Sequence, residues 1–211
     1  MKVFVIGGNG RVGALLVTKL ASQHQVLSGS RNPNPDNNLD SVEQVYIDLL
    51  GDVDTIAESM NGVDAVYFVS GSRGKNLLQI DLHGAIKSMQ AAEKAGVKRY
   101  IMLSSVFALQ PERWNESFLG NLTDYNIAKH YADVYLTTQT QLDYTILQPG
   151  ALKEEPGTGK IETNVTNPGS NSIANVVATL VSILENNSTI GKVILMRDGN
   201  TPIAEALHQI K

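Results

Sequence analysis

The chain has 211 residues, a formal charge of −4 and no cysteine. That length can bury one full core, while the missing cysteines exclude disulfides, thiolate metal sites and a cysteine nucleophile. The acidic balance, with no Lys/Arg cluster, argues against a nucleic-acid face, and the four scattered histidines lack zinc-ligand spacing.

Val3 to Ile6 reads as a buried parallel strand, and Gly7-Gly8-Asn9-Gly10-Arg11-Val12-Gly13 follows as a glycine turn opening a helix. Val12, Leu15, Leu16 and Leu20 recur at helical spacing. The spacing G-x-x-G-x-x-G is a variant of the dinucleotide fingerprint. One glycine permits a tight turn, one lets backbone approach a pyrophosphate, and one lets the helix pack closely on the sheet. The helix N-terminus then presents free N–H groups to phosphate. Because the strand begins at residue 2 and no apolar run approaches the ~18 residues of a membrane span, the expectation is one cytoplasmic, soluble domain over residues 1–211.

Gln25 to Arg31 reads as a second strand, followed by a turn-rich Asn32 to Asn38. No acid stands between Val26 and Pro35 to accept from a ribose 2′-OH, whereas Arg31 can meet a 2′-phosphate, which points to NADP(H) over NAD. Val42 to Ile47 reads as strand three, with Asp48 and Leu49 just beyond it and a short helix ending near Met60. Ala65 to Ser70 is an apolar central strand, and Gly71 and Gly74 follow it at the end where open α/β sheets bind ligands. A long helix is expected over Leu77 to Ala95, with Leu78, Leu82, Ala85, Ile86, Met89 and Ala92 as its core face.

Arg99 to Ser104 reads as strand five, and the irregular stretch from Val106 to Thr123 is long enough to suggest a pocket wall. Asp124 to Thr138 is helical, Tyr144 to Gln148 is strand six, and Pro149-Gly150 turns the chain. A short strand over Lys160 to Thr163, a helix from Ile173 to Leu184, a strand over Val193 to Met196 and a helix capped by Thr201 with Pro202 at its first position complete the pattern. The alternation predicts an α/β, doubly wound, Rossmann-like parallel sheet with helices on both faces.

A second constellation is Tyr125-Asn126-Ile127-Ala128-Lys129. Side chains four apart share a helix face, so an ammonium can sit beside a phenol, favour its phenolate and make it a usable acid or base. Ser104 and Ser105 end strand five as hydroxyl partners for a substrate oxygen, and Ser70 ends strand four in the same way.

On these residues the chain resembles the short-chain dehydrogenase/reductase superfamily, in its small atypical, NmrA-like and NAD-dependent-epimerase branch. The matching stretches are Gly7 to Gly13, Gly96 to Ile101 with Ser104-Ser105, and Asp143 to Leu152. The resemblance implies a catalytic set of Ser104 or Ser105, Tyr125 and Lys129, with Asp81 where the superfamily carries an Asn. It further implies an adenine contact at Asp48, a 2′-phosphate contact at Arg31, a ribose contact at Lys129 and cofactor contacts at Ser70, Gly71 and Pro149. The function so implied is NADP-dependent reduction of a small carbonyl, quinone or flavin-like substrate. The alternatives are a cofactor sensor without turnover, and an epimerase or dehydratase. The expected partner is a small-molecule substrate, with no metal, nucleic acid or membrane and with self-association left open.

Overall fold

The computed structural model describes residues 1–33 and 39–210; the expected turn at Asn32 to Asn38 lies largely outside them. Its elements alternate as the sequence pattern requires. The strands are β1 (Lys2–Ile6), β2 (Gln25–Ser30), β3 (Val42–Tyr46), β4 (Ala65–Phe68), β5 (Arg99–Leu103), β6 (Asp143–Pro149), β7 (Ala151–Lys153), β8 (Lys160–Glu162), β9 (Ser170–Ser172), β10 (Lys192–Asp198) and β11 (Thr201–Pro202). Between them run α1 (Arg11–Leu20), α2 (Val53–Glu58), α3 (His83–Lys94), α4 (Thr123–Gln139), α5 (Ile173–Glu185) and, last, α6 (Ile203–His208).

The main sheet has the order β11-β8-β10-β6-β5-β4-β1-β2-β3. From β3 through β10 every pairing is parallel; at the far edge β8 alone is reversed, pairing antiparallel with both β10 and β11. The order reverses at β1, whose neighbours are β2 and β4, so a crevice opens above its carboxyl end. Alternation along β1 divides the core. Val3 and Val5 pack with Leu16, Val176 and Leu180 of α1 and α5, while Phe4 and Ile6 pack with Met60 and Met89 on the other face.

Three expectations are corrected. The helix expected from Leu77 starts as a π-wound turn, Leu77–Leu82, before α3 begins at His83. The wider winding shifts the phase of the apolar stripe, so Leu78 is 69% exposed while Ala85, Met89 and Ala92 remain buried. The last helix starts one residue later than its cap pattern suggests, because Thr201 and Pro202 pair with Ile161 and Lys160 of β8. The 106–123 stretch contains two short 3₁₀ turns, and its Val106, Phe107 and Leu119 close over Val165 as a small core of their own. None of its residues lines the cleft described next.

Candidate active site: a glycine cradle and a tyrosine–lysine pair

The turn after β1 is built by close approach. Gly7 has φ +94°, in the left-handed region that glycine occupies without penalty, and a Cβ there would come within 2.8 Å of the Ser70 backbone. A Cβ on Gly13 would stand 2.0 Å from the Gly7 carbonyl oxygen, and one on Gly8 would stand 2.2 Å from Ser28 Oγ. These two glycines therefore let α1 and β2 close on the turn, and neither lines the cleft. Gly10 differs: its Cβ would meet only the Gly7 carbonyl oxygen, at 3.1 Å, and it faces open space as the N-cap of α1. Beyond it the first-turn N–H groups of Arg11 and Val12 have no helical acceptor. Asn9 braces the turn from the side, its Nδ2 donating to Ser30 Oγ at 3.0 Å and to the Asn32 carbonyl at 2.5 Å. That bond ties the cradle to the end of β2, where Arg31 stands.

Above the strand ends lies a cleft of about 620 Å³, the size of an ordinary cofactor or ligand site. Gly7, Asn9, Gly10, Arg11 and Val12 form its floor, and Ser70 and Gly71 follow β4 into it. Arg31 and Leu49 line the side beyond β2 and β3. Asp48 does not line it. Its Oδ1 accepts from Leu50 N–H at 2.9 Å within its own turn, and Ile47 and Leu49 supply an apolar wall instead. Pro149 also stays outside, its carbonyl accepting from Val106 N–H at 2.9 Å, and Leu152 reaches the cleft in its place.

On the side beyond β4 and β5 stand Asp81, Ser104, Tyr125 and Lys129. Tyr125 and Lys129 share one face of α4, with Lys129 Nζ 5.8 Å from the phenol ring centroid. Lys129 is buried and donates to the Leu103 carbonyl at 3.3 Å, which fixes its stem against the end of β5. Asp81 is buried in the π-wound turn, and its Oδ2 accepts from Ser72 N–H at 3.0 Å, so it holds the loop after β4 in place. Ser105 is buried and outside the lining. Ser104 Oγ donates to Asp133 Oδ2 at 2.7 Å.

Sequence reasoning missed Asp133, and with it Arg73 and Lys75 on the loop after β4. Asp133 follows Lys129 at the same four-residue spacing that joins Lys129 to Tyr125, a signal available in the sequence. It also receives Gln148 Nε2 at 2.8 Å, and burial pushes its carboxyl up to about 6. Arg73 and Lys75 line the cleft together with Arg11, Arg31 and Lys129, and among the described residues the lining holds one acid, Asp81. In a chain of net charge −4, that concentration of cations favours a polyanionic ligand. Among the described residues no group of His, Cys, Asp and Glu is placed to hold a metal, and no helix is long and apolar enough to cross a membrane.

Sheet order, glycine cradle and cationic cleft together define a Rossmann-like NAD(P)-binding protein. The chain belongs to the NAD(P)H-binding family, whose model matches residues 7–187. It is similar, at 46% identity over its whole length and 96% of the other chain, to a solved structure described as the oxidoreductase ylbE from Lactococcus lactis, with a TM-score of 0.96. It is 37% identical over the full length of both chains to the Bacillus subtilis protein named uncharacterized sugar epimerase YhfK. The UPF0659 protein YMR090W of Saccharomyces cerevisiae is 33% identical, over 100% of this chain and 99% of that protein.

Proposed function

We propose that the protein is an NADP-dependent oxidoreductase that reduces a small carbonyl, quinone or flavin-like substrate. The observation that carries this reading is that Tyr125 and Lys129 line the same cleft as the glycine cradle, so a proton donor faces the place where a dinucleotide would lie. The residues fit that group: Gly10 leaves room for a pyrophosphate, the first-turn N–H groups of Arg11 and Val12 would be free to donate to it, and Arg31 would offer a fork to a 2′-phosphate. Ile47, Leu49 and Ile80 give the same region an apolar wall suited to a base. The cofactor, when bound, supplies hydride.

Tyr125 would give its phenolic proton to the carbonyl oxygen, the phenol becoming a phenolate, and the hydride that completes the alcohol would be supplied by the bound cofactor. Lys129 places a positive charge beside that phenolate while its stem is held at Leu103. The phenolate then regains a proton from solvent through the open cleft. The oxidoreductase name carried by the Lactococcus lactis relative agrees with this chemistry, and the Bacillus subtilis relative is named for sugar epimerisation.

A sensor that binds NADPH without turnover is the second reading, favoured by the Ser104 hydroxyl being given to Asp133 rather than left free for a substrate oxygen. The deciding experiment is NADPH oxidation by purified protein across aldehydes, ketones, quinones and flavins, with Tyr125→Phe as control. Turnover that falls by about 10² to 10⁴ in the variant, with cofactor affinity unchanged, supports the enzyme. Tight NADPH binding with no substrate consumed supports the sensor.

A further inference from the structure

Asp133 is wholly buried beside the cleft, and the reduction described above gives it no part. Tyr125, Lys129 and Asp133 form one row along α4 at four-residue spacing. Oδ2 accepts two hydrogen bonds, from Ser104 Oγ at the end of β5 and from Gln148 Nε2 of β6. Oδ1 meets no donor among the described residues. Burial is the largest influence on this carboxyl and raises it to about 6, against the pull of the Ser104 and Gln148 hydrogen bonds and of the Lys129 ammonium. Lys129, on the same helix, is the charged group that acts on it; β5 and β6 face it with the neutral Ser104 and Gln148.

A serine hydroxyl has one proton, and an ionised carboxylate can only accept. While Asp133 is charged, the Ser104 proton is committed to Oδ2, and the side that Ser104 turns to the cleft carries lone pairs alone. Such a serine receives a hydrogen bond and cannot give one to a carbonyl oxygen. Proton loading of Asp133 changes this, because a carboxylic acid can donate to Ser104 and release the serine proton toward the cleft.

We propose that Asp133 is a positioning residue that sets the hydrogen-bond polarity of Ser104, so that the ionised form admits a donor there, the hydroxyl or N–H of a ligand, and the neutral form admits a carbonyl oxygen. The inference rests on the oxidoreductase reading for its meaning, and its test separates the two.

In one arm, carboxyl ¹³C NMR of the NADPH-bound protein follows Asp133, with Asp133→Asn for assignment. The resonance titrates near 6, and Ser104→Ala moves the midpoint up by about one pH unit, since a hydrogen bond to the charged form is lost. An unmoved midpoint in folded Ser104→Ala overturns the proposal whatever the activity. In the other arm, NADPH-dependent reduction of 4-nitrobenzaldehyde and menadione is measured between pH 5.5 and 8, pH values set by the assay at about those limits. kcat/KM rises roughly tenfold as pH falls through the Asp133 midpoint, the worth of one hydrogen bond, and Asp133→Asn, whose amide oxygen still accepts from Ser104, loses that rise. The same inflection in the asparagine variant overturns the proposal. If the NMR midpoint moves as expected and neither probe is reduced by any form, the positioning stands and the oxidoreductase reading falls.

Discussion

Asp133→Asn removes a carboxyl that the fold holds at about 6 against an ordinary 3.8. Each pH unit of difference between folded and unfolded chains is 1.36 kcal/mol, so ionised Asp133 costs the native state roughly 3 kcal/mol at neutral pH. The sign follows from the raised value: between about pH 4 and 6 the native state binds more protons than the unfolded one, and stability falls as pH rises through that window. Asparagine keeps an oxygen for Ser104 and Gln148 but places an amide N–H₂ where Oδ1 has no partner, a pH-independent penalty of about 1 to 3 kcal/mol. Urea unfolding of both proteins at about pH 4 and pH 7.5, extrapolated linearly to water, separates the two contributions. The variant should gain on the order of 3 kcal/mol relative to the unmutated protein between the acid and the neutral condition. Stabilities that stay a constant distance apart across that range would show that Asp133 is ionised as readily inside the protein as in water, and would refute the account of its burial.

The glycines of the cradle should separate by function. Gly10→Ala should fold and weaken NADPH, read by calorimetry, whereas Gly13→Ala should lose about 1 to 3 kcal/mol of stability or more, because its Cβ would stand 2.0 Å from the Gly7 carbonyl oxygen. Arg31→Ala should reduce a preference for NADPH over NADH that is expected to be roughly tenfold to a hundredfold; equal affinities in the unmutated protein would leave Arg31 a solvated side chain. Lys129→Met should lower both turnover and cofactor affinity, and affinity unchanged in a folded variant would remove the ribose contact from its role.

Much of the fold was legible because its signals are local. The run Val3 to Ile6 faces helices on both sides and is apolar throughout, and Gly62 and Gly96 end their segments with φ +69° and +75°, which glycine alone adopts freely. The long helix after β4 was legible as a helix and misread in its first turn, since a period of 3.6 residues cannot register a π-wound segment whose phase is set by what it packs on. The 106–123 stretch has the length and mixed polarity of a binding loop. Its second property, a small apolar core with Val165, depends on a residue more than forty positions away and leaves no local mark.

The site divides along the same line. The glycine cradle, Arg31, Tyr125 and Lys129 announce themselves by spacing, and all but the packing glycines Gly8 and Gly13 line one cleft. Arg73 and Lys75 carry no such signal, because a loop cation reads as solvated until the strand order places it over the crevice. Asp133 is the instructive case. Its position in the row with Tyr125 and Lys129 could be read, but an aspartate on a helix is ordinarily a surface residue, and only the convergence of β5 and β6 beneath α4 makes it a buried carboxylate. Gln148 gives the complementary clue from the other side: a polar amide inside the apolar run Thr145 to Pro149 must find a partner once buried, and the partner it finds is the same Oδ2 that holds Ser104. Two buried polar residues that each look out of place in their own segment account for one another, and the hydroxyl between them is the one that faces the cleft.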